Sequence, residues 1–556
     1  MSPAPAEGAR LAGFLTGRPT GVALLLLAVF VALQVGSNQH KTITINEPDH
    51  YRYGWQLLHF VSDRFDDSKM PFSMLNALPK RIAVAVLPPG ALRRHLETIE
   101  FARYVTVAGA TLLGWLVFVW ARALYGGAGG LLALTLYVFD PNILAHGGLV
   151  GTDLYATAMI AVAVWAFWRF LNHEGPGVWR AATVSALCFA LAQLAKYTAA
   201  YLVPILLGIA LGHAAPALGA RVRARDWRGL GRQIGRAGAY AGLYVAAFLV
   251  VVNLAYWGQH TLRPLAESEF RSSQFQRMQA ALSGVPGLRV PVPGAYIEGL
   301  DWVFHNERGG VNVYLLGEMG KGGVVGRRFP EYYPVAWLYK EPLATQALVL
   351  MALAVYARRF RRFDFRRNEW SLACTALFFV WYFVFIYNFQ LGYRFALVGL
   401  PVVFVFTGSL LSEAAGLGRR ARWLVGGLLV YLVVSVLSYY PHFIPYFNEL
   451  VWDRKRAYHV LADSSLVLDE NHWYMRRYLR QHRDVVFEPA SPMAGTLLVR
   501  VEFYVGLFFQ ERFRWLRENF EPVGHVAHGH LLFRVTPEAL RMVTDPRSAD
   551  WEDKGE

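Results

Sequence analysis

Charge is scarce in this chain. Only 17% of its 556 residues are Asp, Glu, Lys or Arg, against 55% hydrophobic and 15% aromatic, a balance that excludes a soluble globular protein of this length. Cysteine is scarcer still. The two present, Cys188 and Cys374, both lie in apolar stretches, which excludes a disulfide framework and a zinc site and leaves the redox compartment open. Walker loops, HExxH helices, zinc signatures and serine-nucleophile elbows are all missing, so the chemistries those motifs carry have no anchor here. No internal symmetry of the kind many transporters show is evident either.

What is there is a series of apolar windows near 20–36, 101–121, 129–146, 153–171, 237–257, 341–357, 371–388, 395–411 and 422–440. Each approaches the roughly 20 residues that a helix needs to cross a hydrocarbon core of about 30 Å. Lipid offers the backbone no partner, so each is expected to be helical. The stretch from Ala181 to Gly212, interrupted by Lys196 and Pro204, is long for one span and short for two. Charge parity decides it. As a hairpin of two short helices, it puts the basic runs Arg221–Arg236, Arg358–Arg367 and Arg419–Arg422 on the side of Arg10 and Arg18, as the positive-inside rule requires.

The expected fold is therefore an α-helical polytopic membrane protein of about eleven spans, with a cytoplasmic N-terminus and an outer C-terminal segment. Residues 1–440 form the membrane domain, with outer loops 37–100 and 258–340. Residues 441–556 alternate helical and β-rich patterns, as in Thr496–Val501 and Leu531–Val535, and are expected to form a small extracytoplasmic α/β domain. The net charge of +15 is then a topology signal. It gives no nucleic-acid reading, because the basic clusters sit in short loops between spans. The first apolar stretch lacks a cleavage site after Val35 and is expected to stay as an anchor. A GxxxG at Gly238 and Gly242 is expected to pack helices.

Polar groups gather on the outer face. Asn46-Glu47-Pro48-Asp49-His50 opens the first loop, followed by Asp63, Asp66, Asp67 and Lys69. Asp140 and Asp153 bracket a short outer loop, Lys196 marks the hairpin tip, Arg394 sits in the turn Gly392-Tyr393-Arg394, and Lys340-Glu341-Pro342 opens another span. Carboxylates and cations on one membrane face are what transfer with a phosphate leaving group needs: a carboxylate takes the acceptor's proton and Lys or Arg neutralises the departing phosphate. Each group has a plainer reading. Asp153 could cap a helix, Lys196 could snorkel, and Arg394 could be a topology charge. Taken together they weigh toward function, because charge at a membrane edge is expensive.

The order of these motifs resembles the GT-C class glycosyltransferases, specifically the protein O-mannosyltransferase and aminoarabinose-transferase relatives in glycosyltransferase family 39. The matching elements are Asn46-Glu47-Pro48-Asp49-His50, Thr152-Asp153, Leu194-Ala195-Lys196-Tyr197-Thr198, Tyr314-Leu315-Leu316-Gly317-Glu318, Trp337-Leu338-Tyr339-Lys340-Glu341-Pro342-Leu343 and Tyr393-Arg394. Pro445-Tyr446-Phe447-Asn448-Glu449-Leu450 and Asp463-Ser464-Ser465 complete the set.

The resemblance implies inverting transfer of a sugar from a polyprenyl-phosphate carrier to a protein, lipid or glycan acceptor at the periplasmic face of the inner membrane. It implies no nucleotide sugar and no cofactor, with a divalent metal left open. Glu47 and Asp49 become candidate bases and Asp153 an auxiliary, acceptor-orienting group. Lys196, Arg394 and Lys340 would hold the lipid phosphate, with His50, Asp67, Lys69 and Glu318 as further polar members of the site. Two departures stand out. The family's leading aspartate is Asn46 here, and an amide cannot accept a proton from the acceptor; its His-Pro-Pro is Lys69-Met70-Pro71. A lipid or solute transporter, and a non-catalytic relative whose tail binds an envelope partner, are the rival readings.

Overall fold

The computed structural model describes residues 18–64, 66–285, 287–321 and 328–544; Arg10 lies outside them. The chain is mostly helical. Among the described residues, seven helices are long and apolar enough to cross a membrane, and eight if the bent pair Tyr332–Lys340 and Leu343–Arg358 counts as one span. Two shorter apolar helices, Val178–Ala192 and Glu369–Phe385, add to these. One of the seven, Ile99–Val138, is broken at Gly126, where φ of 80° and ψ of −178° leave the helical region. Glycine reaches that conformation without a Cβ clash, so this helix carries two of the expected segments. With that division, every expected apolar segment falls on a helix, and the stretch from Ala181 to Gly212 is the expected hairpin, formed by Val178–Ala192 and Leu202–Arg223.

Two expectations need correction. The segment expected over 129–146 stops at Val138; Asp140 then accepts a hydrogen bond from Ile143 N at 2.7 Å, and Pro141 starts the separate short helix Pro141–His146. A side-chain cap and a proline at the first helical position start a new helix and end the old one. The glycines Gly238 and Gly242 meet nothing within 4 Å of where a Cβ would stand, so among the described residues no helix packs on them.

The segment after the first membrane helix forms the helices Glu47–Leu58 and Ser73–Val86, which cross at Gly54. A Cβ there would lie 2.2 Å from Ser73 O, so only glycine permits the approach. The loop is riveted to the long helix by Arg103, fully buried, whose guanidinium grips the equally buried Glu47.

The C-terminal part forms a four-stranded sheet in the order β3-β4-β6-β5, with β3 Val485–Phe487, β4 Gly495–Arg500, β5 Gly524–Val526 and β6 His530–Val535. β3 runs parallel to β4, and β6 pairs antiparallel with both β4 and β5. The helix His472–Gln481 packs on this sheet through Met475. Residues 441–471, which precede it, are irregular apart from the 3-10 helix Arg454–His459 and tie the sheet to the helical body. Thr42 N donates to Glu470 O at 2.8 Å and Ile45 N to Leu468 O at 3.3 Å, while Lys340 Nζ reaches Ile444 O and Ser465 O.

Candidate active site

The turns at one end of the helices enclose a cavity of about 530 Å³, inside the size range usual for small-molecule sites. Its charged walls come from four separate pieces of chain. Asp153 opens the helix Asp153–Leu171, where the N-terminal end favours a carboxylate. Lys196 sits in the extended break between the two hairpin helices, with φ of −165° and ψ of 150°. Arg394 lies on the 3-10 turn Tyr393–Gly399, and Lys69 comes from the first outer loop.

These groups meet. Lys196 Nζ is 2.5 Å from Asp153 Oδ1, and Arg394 Nε is 3.9 Å from Asp153 Oδ2. Arg394 Nε is buried without a hydrogen-bond partner. Phe395 lies under both cations, its ring centroid 4.4 Å from Lys196 Nζ and 5.2 Å from Arg394 Cζ. Lys69 Nζ pairs with Asp66 Oδ2 at 3.1 Å, and Asp66 also accepts the Ser68 amide at 2.9 Å. His50 and His146 complete this part of the wall. Burial holds both imidazoles down to about 3, with Lys69 the next cause for His50 and Arg394 for His146, so both are neutral at physiological pH. Three cations then face two paired carboxylates and a third carboxyl, Glu307, whose pKa is raised by burial.

Of the residues expected at the site, the cavity gathers Asn46, His50, Lys69, Asp153, Lys196 and Arg394. Glu47, Asp49, Asp67, Lys340 and Glu318 do not line it. All of Glu47's acceptor positions are occupied: Arg103 Nε and Nη2 at 2.8 and 2.6 Å, Val150 N at 3.0 Å and Thr44 N at 2.8 Å. Asp49 is exposed on the helix that Glu47 begins. Asp67 accepts Arg64 Nε at 2.9 Å and Tyr53 OH at 3.3 Å, and its carbonyl takes Tyr197 OH, so it fixes the loop that carries Asp66 and Lys69. Lys340 is buried, donating to Ile444 O at 2.8 Å and Ser465 O at 2.7 Å. Glu318 is exposed at the start of β2 Glu318–Lys321, which pairs with β1 Asn312–Leu315.

The sequence reading missed Glu307, Tyr201, Tyr382 and Tyr387, which also line the cavity. For Glu307 a signal existed. On the helix Gly294–Gly309 it follows Leu300 and Val303 at helical spacing, so a carboxylate stands in the apolar stripe. Among the described residues, no group of three or more His, Cys, Asp or Glu could hold a metal ion.

Residues 97–222 match the model of the family described as dolichyl-phosphate-mannose-protein mannosyltransferase. The chain is similar to the GT-C glycosyltransferases. Among solved structures, it is similar to ArnT from Cupriavidus metallidurans bound to undecaprenyl phosphate, with 11% identity over 94% of this chain and 99% of that one and a TM-score of 0.31. ArnT from the same organism in the apo state matches at 12% identity over the same shares, also with a TM-score of 0.31. The oligosaccharyltransferase of Archaeoglobus fulgidus tethered with an acceptor peptide matches at 14% identity, over 74% of this chain and 54% of that one, with a TM-score of 0.42. No curated protein sequence matches the chain.

Proposed function

We propose that this multi-pass membrane protein transfers a sugar from a polyprenyl-phosphate carrier to an acceptor, in the cavity above Asp153. The observation that carries this reading is the Lys196–Asp153–Arg394 arrangement at a helix end, with Lys69 on the facing wall. Asp153 holds two cations together that would otherwise repel. Lys196 and Arg394 keep donors that Asp153 does not consume, and Arg394 Nε, 3.9 Å from Asp153, makes no hydrogen bond among the described residues. A phosphate supplies a partner, through charge-assisted hydrogen bonds that are among the stronger polar contacts.

As the sugar-phosphate bond breaks, negative charge grows on the departing phosphate, and preorganised cations stabilise that charge more than the ground state. Glu47 belongs to the scaffold in this scheme: it positions the loop whose neighbours Asn46 and His50 form the wall. Family resemblance supplies the polyprenyl carrier and the inverting course. Lys340 and Glu318 are assigned no contact with the donor.

The same reading places the cavity and the C-terminal α/β domain, residues 441–556, on the periplasmic side of the inner membrane. The turns at the other ends of the helices carry the arginine runs, and Arg367 donates to Asn172 at 3.2 Å and to Glu174 at 2.5 Å, which joins two of those turns on one side.

The test is lipid binding. The purified protein in nanodiscs is expected to bind undecaprenyl phosphate, and Lys196→Ala and Arg394→Ala to weaken that binding at least tenfold with the fold intact. Binding unchanged in both variants would sink the reading.

A further inference from the structure

Three carboxylates line the cavity, and two are committed to cations: Asp153 to Lys196 and Arg394, and Asp66 to Lys69. The third, Glu307, forms no ion pair among the described residues. It stands half-buried on the helix Gly294–Gly309, in an outer segment that covers the cavity, and shares the wall with Tyr201, Tyr382 and Tyr387. Tyr387 is close enough to Glu307, Asp153 and Arg394 to feel the charge of each, and all four line the same cavity. Glu307 and the cation cluster therefore share one cavity wall without an ion pair between them among the described residues.

We propose that Glu307 is the catalytic residue that accepts the proton from the acceptor. This inference rests on the transfer reading above. In the step, the acceptor's hydroxyl oxygen forms a bond to the anomeric carbon while its proton passes to a Glu307 carboxylate oxygen. The carbon–oxygen bond to the phosphate breaks, and its electron pair leaves with polyprenyl phosphate beside Lys196 and Arg394. No other reactant is required.

The alternatives are poorly placed. Asn46 is on the wall, but an amide cannot take the proton. Glu47 is closed by Arg103, Val150 N and Thr44 N, and Asp49 is exposed away from the cavity. A carboxylate paired to a lysine is a weak base, because the ammonium stabilises its ionised form. Glu307 has the opposite environment. Burial raises its pKa, with the Asn388 backbone amide and Arg308 acting the other way, and a carboxyl raised toward the working pH is the better general base.

The experiment uses the full chain in nanodiscs, with a total extract of host membranes that supplies both the polyprenyl-phosphate sugar donor and the hydroxyl-bearing acceptor. Mass spectrometry reads sugar lost from the lipid, and undecaprenyl phosphate binding is measured in parallel. Glu307→Gln is expected to cut turnover by about 10²- to 10⁴-fold while binding holds, and Glu307→Asp to keep more turnover than Glu307→Gln. Wild-type turnover in Glu307→Gln with binding intact would overturn the assignment and leave the transfer reading standing. Loss of both turnover and binding would make Glu307 part of the lipid site and also overturn it. If instead Lys196→Ala and Arg394→Ala both leave binding unchanged, the transfer reading itself fails.

Discussion

Arg103 and Glu47 face each other as a two-pronged pair, Nε to Oε1 at 2.8 Å and Nη2 to Oε2 at 2.6 Å, both side chains almost fully out of solvent. Arg103 also donates to the carbonyls of Lys41 at 3.2 Å and Thr42 at 2.7 Å. One guanidinium thus fixes the whole approach to the cavity's Asn46–His50 wall. Removing one partner of a buried pair leaves the other uncompensated, at a cost of about 3–5 kcal/mol. Glu47→Ala and Arg103→Ala are each expected to lower thermal stability in detergent by that order. The double variant should lose less than the sum of the two, as coupled partners do.

Asp153 is expected to act through its neighbours. Asp153→Asn keeps the size of the side chain and removes the charge that holds Lys196 and Arg394 together. Donor turnover should fall, and the fluorescence-detected unfolding temperature should shift little. An Asp153→Asn protein with wild-type donor kinetics would reduce the residue to a helix cap.

Glu307 gives the activity a pH signature. Its raised pKa means the proton-accepting form appears only above the ordinary glutamate value of about 4.3. Turnover should therefore fall as pH drops through the raised value, and the acid limb should disappear from the residual activity of Glu307→Gln. Tyr201, Tyr382, Tyr387 and Arg308 are the other ionisable groups near it. The sign for stability is opposite. A carboxyl with a raised folded pKa binds its proton more tightly when folded, so its contribution is lost as pH rises.

His50 and His146 pull stability the other way. Their folded values near 3 lie below the unfolded value of about 6.5, so between the two the unfolded chain binds more protons. Their contribution is complete above about pH 6.5 and is lost as pH falls toward 3. Unfolding temperatures measured from pH 7.5 down to pH 4.5 should decline, and His50→Asn should flatten the slope. A flat profile for the wild type would contradict buried neutral imidazoles.

Asn46→Asp is expected to fold normally, because the Asn46 side chain makes no cap bond to its helix. It adds a carboxylate to the same cavity. Placed on Glu307→Gln, it should recover part of the lost turnover, read in the same mass-spectrometric assay; no recovery would mean that a carboxylate at position 46 cannot reach the acceptor.

The membrane architecture was legible because lipid makes segment length and apolarity decisive. Even the hairpin around Lys196 followed from counting arginine runs. What composition could not supply was the end of the helix at Val138, where a two-residue signal, Asp140-Pro141, overrides an apolar run. The site was half legible. Asp153, Lys196 and Arg394 were readable as charges at membrane edges, where a charge costs too much to be idle. Glu47 looked equally functional, and its partner Arg103 lies 56 residues away inside an apolar helix, a pairing that no local spacing reveals. Glu307 was missed for the reverse reason: it sits in a loop segment between spans, where a glutamate looks ordinary until the helix folds over the cavity.

The strap that follows the last membrane helix gives the protein an order of completion. Thr42 donates both to Glu470 O and, through its hydroxyl, to Asp469 O, across 427 residues of chain in the second case, and Leu468 and Thr44 share the cavity wall. During synthesis, every span is made before the first outer loop can meet the backbone that finishes its edge. A nascent chain cut short before residue 468 would hold Asp153, Lys196 and Arg394 with one side of their chamber unbuilt. On the transfer reading proposed above, the chamber is thus finished only when the end of the chain has been made.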